Sequence, residues 1–156
     1  MEVQIILFIT LLFYSIVVSQ SFSYIISLTA IQQEMDVTCY IKFRQATDKK
    51  FQARFKPVIY VTLFSNILLV TLAALQTNSI LFISANISLL ALIADIIFTL
   101  KGNVPINNII NKWTVHDYPA DWQVYRKKWF SFFCKRQIAN IIGFIGLLAG
   151  TVIRQQ

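Results

Sequence analysis

Lys101 to Arg136 reads KGNVPINNIINKWTVHDYPADWQVYRKKWFSFFCKR, a polar stretch between two strongly apolar ones. It holds all 3 tryptophans, the 1 histidine and half of the 14 Lys and Arg residues. The flanking runs, residues 79–100 and 137–153, each have the length that crosses a hydrocarbon layer of about 30 Å as a helix. The stretch therefore reads as a polar insert held against one face of a bilayer, and the chain as an integral membrane protein.

Composition agrees. The 156 residues are 56% hydrophobic and 13% charged, where soluble domains carry about 25% charge, and the mean hydropathy is +0.62. A soluble fold of this size cannot bury so much apolar surface. The net charge of +7 would suit a nucleic-acid partner, but the cations sit beside apolar runs and form no isolated basic domain, so no nucleic acid is expected. Cys39 and Cys134 are far apart, without a CxxC or a neighbouring histidine, and His116 stands alone. No metal site and no cofactor are expected from one chain.

Working outward, four spans emerge in a single membrane domain covering residues 1–156: about 3–28, 57–76, 79–100 and 137–153. A secretory leader is the rival reading of the first. Glu2 without a nearby Lys or Arg, and apolar character continuing past a short core, oppose it. Ser19, Gln20, Ser21 and Ser23 are expected to face other helices. Thr77-Asn78 is expected to turn the second span into the third. Pro57 suits the first turn of the second span, and Asn103 can cap a helix with Pro105 in its first turn. Ile106, Ile109, Ile110 and Trp113 then recur at helical spacing as a buried stripe. In the first insert Tyr40, Phe43, Thr47, Phe51 and Phe55 share one arc, with Lys42, Lys49 and Lys56 opposite. Gly146 and Gly150 form a GxxxG pair, and with Gly143 they suggest close packing on a neighbouring helix.

The fold expected is thus all-α: a four-helix transmembrane bundle with two amphipathic helical inserts on the cytoplasmic side. The first insert carries six Lys and Arg residues and the central one seven, against none in the turn between spans two and three. That distribution puts both inserts in the cytoplasm and both termini outside. The expected location is a plasma membrane of the bacterial inner-membrane type.

Polar groups inside the spans are rare and therefore informative. Asn66 and Asn86 read as hydrogen-bonding contacts between helices. Asp95 is open between two roles, pairing at the interface and a functional carboxylate. On a helix through Ala120–Arg136, with Trp122 at zero, Trp129 falls at about 340°, Tyr125 at about 300°, Phe133 at about 20°, Arg126 at about 40° and Arg136 at about 320°. Lys127, Lys128 and Lys135 occupy the other side. The two arginines thus share the aromatic face, where a guanidinium can stack on indole and grip an anion. The same placement also lets them snorkel and satisfy backbone carbonyls.

Val104-Pro105-Ile106-Asn107-Asn108, then Asp121-Trp122, Arg126, Trp129 and Arg136, together with Tyr40-Ile41-Lys42-Phe43-Arg44-Gln45, resemble the signature of the anthrone oxygenase-like integral membrane proteins. That resemblance implies a four-helix membrane bundle and, for the few members with an assigned role, cofactor-free oxidation of a polycyclic anthrone to a quinone. It points to Asn107, Trp122, Arg126, Trp129 and Arg136 as binding residues, with Asp95 as the nearest carboxylate. Family members often carry a histidine three residues before the last arginine; here it is Phe133, which removes the natural general base. Two functions remain open. One is an enzyme, or a degenerate one, acting on a lipophilic aromatic or quinone-like molecule. The other is a non-catalytic protein whose basic face binds lipid headgroups, a partner membrane subunit or a second copy of itself. Serine-hydrolase, phosphate-loop and metal-hydrolase motifs are absent.

Overall fold

A computed structural model describes residues 2–76 and 79–153; the Thr77-Asn78 turn and Arg154 lie outside them. Among the described residues there is no strand. Four helices are long and apolar enough to cross a membrane: α1 (Glu2–Glu34), α2 (Val37–Leu75), α3 (Ser79–Ile110) and α4 (Trp122–Ile153). They pack as a ring, α1 on α2, α2 on α3, α3 on α4 and α4 back on α1.

The helices run well past the expected span limits. Residues 37–56 are not a separate element but the first half of α2, which carries Pro57 in its interior. No glycine interrupts α2, and a proline inside a helix removes one backbone bond without ending it when the surrounding helix is strong. Residues 122–136 are likewise continuous with the fourth span. Asn103 does not cap a new helix. Its backbone is helical and its side chain bonds nothing at that terminus, because α3 passes through a π-helical turn at Thr99–Asn103 and carries on. A second π-turn, Tyr24–Leu28, lies in α1. Each such turn inserts one residue and re-aims the side chains beyond it. α2 starts at a true cap, with the Cys39 backbone N–H donating to the Asp36 carboxylate at 2.9 Å. That bond holds the Asp36 carboxyl below the usual carboxylate range. The cap is thus complete at neutral pH and weakens only as pH falls through the lowered value.

The exterior identifies the solvent. Phe8, Phe64 and Leu90 are 66%, 72% and 66% exposed, and large apolar side chains like these cover the flanks of all four helices. Lipid is the medium that makes such a surface stable. Ser19 and Ser23, expected inside, are on this surface; they donate to carbonyls of their own helix at 2.8 and 2.9 Å, which removes the need for a partner helix. Ser21 is buried and Gln20 half-buried. Ile109 is also exposed, while Ile106, Ile110 and Trp113 are buried.

α4 approaches α3 closely along its glycines. A Cβ at Gly143 would overlap the Tyr14 hydroxyl and the Ala91 methyl, and one at Gly150 would overlap the Ser84 side chain. Asn66 donates to Ser88 across α2 and α3 at 2.7 Å, whereas Asn86 bonds its own helix at Phe82.

Two cores result. An aliphatic one, including Val3, Leu69, Leu81 and Leu147, lies where α1 begins and α2 ends. An aromatic one, including Tyr24, Tyr40, Ile106, Trp113 and Trp129, lies at the opposite end. That end also carries the two basic inserts: the Gln45 amide of α2 donates to the Ile110 and Trp113 carbonyls at 3.0 and 2.9 Å, tying them together.

Candidate functional site

At the basic end α2 places Tyr40, Arg44 and Asp48 on successive turns of one face, and all three are buried. Asn107 of α3 joins them. Its Oδ1 accepts from Arg44 at 2.8 Å and from the Trp129 indole N–H at 2.9 Å. Its Nδ2 donates to Asp48 at 2.7 Å. Guanidinium and indole can only donate and a carboxylate can only accept, so these partners fix the amide's orientation. Asp48 accepts two further bonds, from Asn111 at 2.8 Å and Gln52 at 3.0 Å. Arg44, 3% exposed, lies 3.8 Å from the Trp129 ring centroid, and its Nε–H has no hydrogen-bond partner.

The network continues through Asn103, which donates to the Trp129 carbonyl at 2.9 Å and accepts from Arg136 at 3.4 Å. Arg136 in turn meets Asp95 at 2.7 Å, with the two side chains 12% and 2% exposed. Gly102 makes this possible. A Cβ there would overlap the Phe132 ring, so only glycine lets the π-turn of α3 sit against α4.

These residues surround a cavity of about 440 Å³ between α2, α3 and α4, closed on its remaining side by Gln20 and Tyr24 of α1. Arg44, Asp48, Asn107 and Trp129 line one part of it and Phe55, Ile59, Ile96 and Leu100 another, with Lys56, Asp95 and Arg136 beside the latter. The volume lies in the range of small-molecule sites.

Of the residues singled out in the sequence, Asn107, Trp129, Asp95 and Arg136 stand on this wall. Trp122 and Arg126 do not. Arg126 donates to the Gln32 and Met35 carbonyls at 3.3 and 3.0 Å and stacks over Trp122, 4.5 Å from its centroid. It thereby closes the C-terminal end of α1, a structural task. Arg126→Ala should cost about 2 kcal/mol of stability through two lost charged hydrogen bonds, while Lys127→Ala, exposed, should change it by less than about 0.5 kcal/mol. Thermal melts of the two variants in one detergent check the contrast. Phe133 is packed 4.3 Å from the Tyr24 ring and stacked 4.8 Å from Trp129, and His116 is exposed and off the cavity wall.

Arg44 and Asp48 were missed as site residues. Their signal was the spacing Tyr40, Arg44, Asp48, which puts all three within an arc of about 80° on a helix. Among the described residues no group of three or more His, Cys, Asp or Glu side chains could hold a metal ion. Comparison with protein families, curated proteins and solved structures finds no match to this chain.

Proposed function

We propose that this protein binds a lipophilic aromatic or quinone-like small molecule, with an acidic oxygen of the ligand set against Arg44. The observation that carries this reading is a buried guanidinium with one N–H unsatisfied, on the wall of a cavity whose lining also includes Tyr24, Phe51, Phe55, Ile59 and Trp129. A buried cation is costly, and an anionic oxygen of a ligand lying against the guanidinium would offset that cost. The aromatic side chains Tyr24, Phe51, Phe55 and Trp129 would cover a polycyclic body. The likeness to anthrone oxygenase-like proteins supplies the candidate reaction, in which dioxygen oxidises the anthrone methylene to a quinone carbonyl and is itself reduced to water, the enolate charge resting on Arg44 or Arg136. Asp48 and Asp95 are the carboxylates within the site, and each is engaged by its own donors. The second reading, a non-catalytic contact with lipid headgroups or a partner subunit, is favoured by the exposed lysines of the basic end, among them Lys49, Lys50, Lys127 and Lys128.

Solvent extraction of the purified protein, followed by mass identification, tests the binding reading. A stoichiometric aromatic molecule with an ionisable oxygen is expected. Bulk membrane lipid alone, in the proportions of the host membrane, would overturn it.

The proposed placement has the basic end in the cytoplasm of a bacterial-type plasma membrane and both termini outside. Cys39 and Cys134 are exposed at that end. An impermeant thiol reagent added to intact cells should leave both unmodified and label both after lysis. Labelling before lysis would reverse the orientation.

A further inference from the structure

The cavity is open along one line. Gln52, Lys56 and Tyr60 of α2 all border it and all are exposed. Spaced four residues apart, they form a rim about 12 Å long. Across from them Leu100 and Asn108 of α3 border it and are exposed in the same way. Each rim changes character at a lysine. On α2 the charged run ends at Lys56 and apolar sequence begins after Pro57; on α3 apolar sequence ends at Leu100 and charge resumes at Lys101. Tyr60 and Leu100, 60% and 61% exposed, therefore belong to the bilayer half of the opening, and Gln52 and Asn108 to the aqueous half. Tyrosine and lysine are the residues that settle at a membrane interface.

The charge on the wall is unbalanced as well. Arg44, Lys56 and Arg136 face Asp48 and Asp95. Asp95 is matched by Arg136, whereas Asp48 is held by three amides and Arg44 donates to the amide oxygen of Asn107. The one cation in excess is Lys56, exposed at the rim.

We propose that the cavity takes a singly charged anionic amphiphile sideways from the adjoining leaflet, through the slit between α2 and α3. Its head rests on Arg44 and its apolar body lies against Phe55, Ile59 and Ile96. This inference rests on the ligand reading above and adds the ligand's charge and its route. An anionic head meets Lys56 at the rim and Arg44 inside, two attractions that a neutral ligand lacks. Entry from the leaflet spares the apolar body a passage through water.

The test uses the full chain in phosphatidylcholine vesicles, with 1-pyrenebutyrate in the bilayer as the probe and energy transfer from the protein's tryptophans as the signal. Saturable transfer is expected, with affinity at least tenfold weaker for the neutral methyl ester of the same probe. Leu100→Glu, at the bilayer half of the rim, should slow capture at least fivefold, and Asn108→Glu, at the aqueous half, should slow it less. Tyr60→Glu replaces Leu100→Glu if the latter does not insert. Equal affinity for acid and ester would overturn the charge assignment while leaving the ligand reading intact. A larger effect from Asn108→Glu would overturn the lateral route. No saturable transfer with either probe would overturn the cavity reading itself.

Discussion

Asn107→Leu should destabilise the detergent-solubilised protein by about 3–5 kcal/mol, since it strips one partner from each of three buried groups. The Arg44 guanidinium and the Trp129 indole lose their shared acceptor, and Asp48 loses one of its three donors. Leucine has the same number of side-chain heavy atoms in the same branched arrangement and is no smaller, so no cavity opens and the cost reports lost hydrogen bonds. Asn107→Asp separates the components. It keeps the acceptor for Arg44 and Trp129 but sets a second carboxylate against Asp48, so it should fall between wild type and Asn107→Leu at neutral pH. Lowering the pH protonates one of the two facing carboxyls and restores a donor. The gap between Asn107→Asp and wild type should therefore narrow in acid. Thermal melts at two pH values measure both effects; a gap that widened in acid would contradict the network.

Arg136→Met should cost a similar amount, about 3–5 kcal/mol, by leaving the Asp95 carboxylate unpaired where it is 2% exposed. The methionine preserves most of the stem and its contact with Phe133, so lost packing contributes little. Removing both charges is the informative comparison. Arg136→Met combined with Asp95→Leu eliminates the uncompensated carboxylate and should recover much of the loss, because an apolar pair often replaces a buried ion pair at little cost. The coupling energy from the double-mutant cycle should exceed about 1.5 kcal/mol. Additive losses would mean that Asp95 finds another partner, or water, once the arginine is gone.

How far the sequence reveals such a site depends on what periodicity encodes. Long apolar runs and the clustering of lysine and arginine show the four membrane-length helices and the shared basic end, because hydrocarbon thickness and interfacial charge constrain both directly. Asp95 could be picked out because charged groups inside spans are scarce, Arg136 from its angle on the helix, and Asn107 only through the family likeness. Arg126 shows the limit. Its angle on α4 points inward as truly as that of Arg136, but the two are ten residues, about 15 Å, apart along the axis. Angle fixes the face and not the depth, so one arginine reaches the cavity and the other reaches the end of α1. Arg44 was hidden for a different reason. It sits in an insert with five other cations, and only the alternation with Tyr40 and Asp48 sets it apart from charges that stay in water. The continuity of α3 through its π-turn at Gly102 depends on packing against α4, and α2 runs on through Pro57 while packed on α1 and α3; no local signal announces either.

The claim that Arg44 anchors a lipophilic ligand is tested most directly by titrating purified protein with a hydroxylated anthrone while following tryptophan fluorescence, since Trp129 forms part of the cavity wall. Wild type and Lys127→Gln should show the same saturable quenching, and Arg44→Gln should bind at least tenfold more weakly, a loss of about 1.4 kcal/mol or more. Quenching that rises linearly and equally in all three proteins would mean the molecule only partitions into detergent, and would contradict the account.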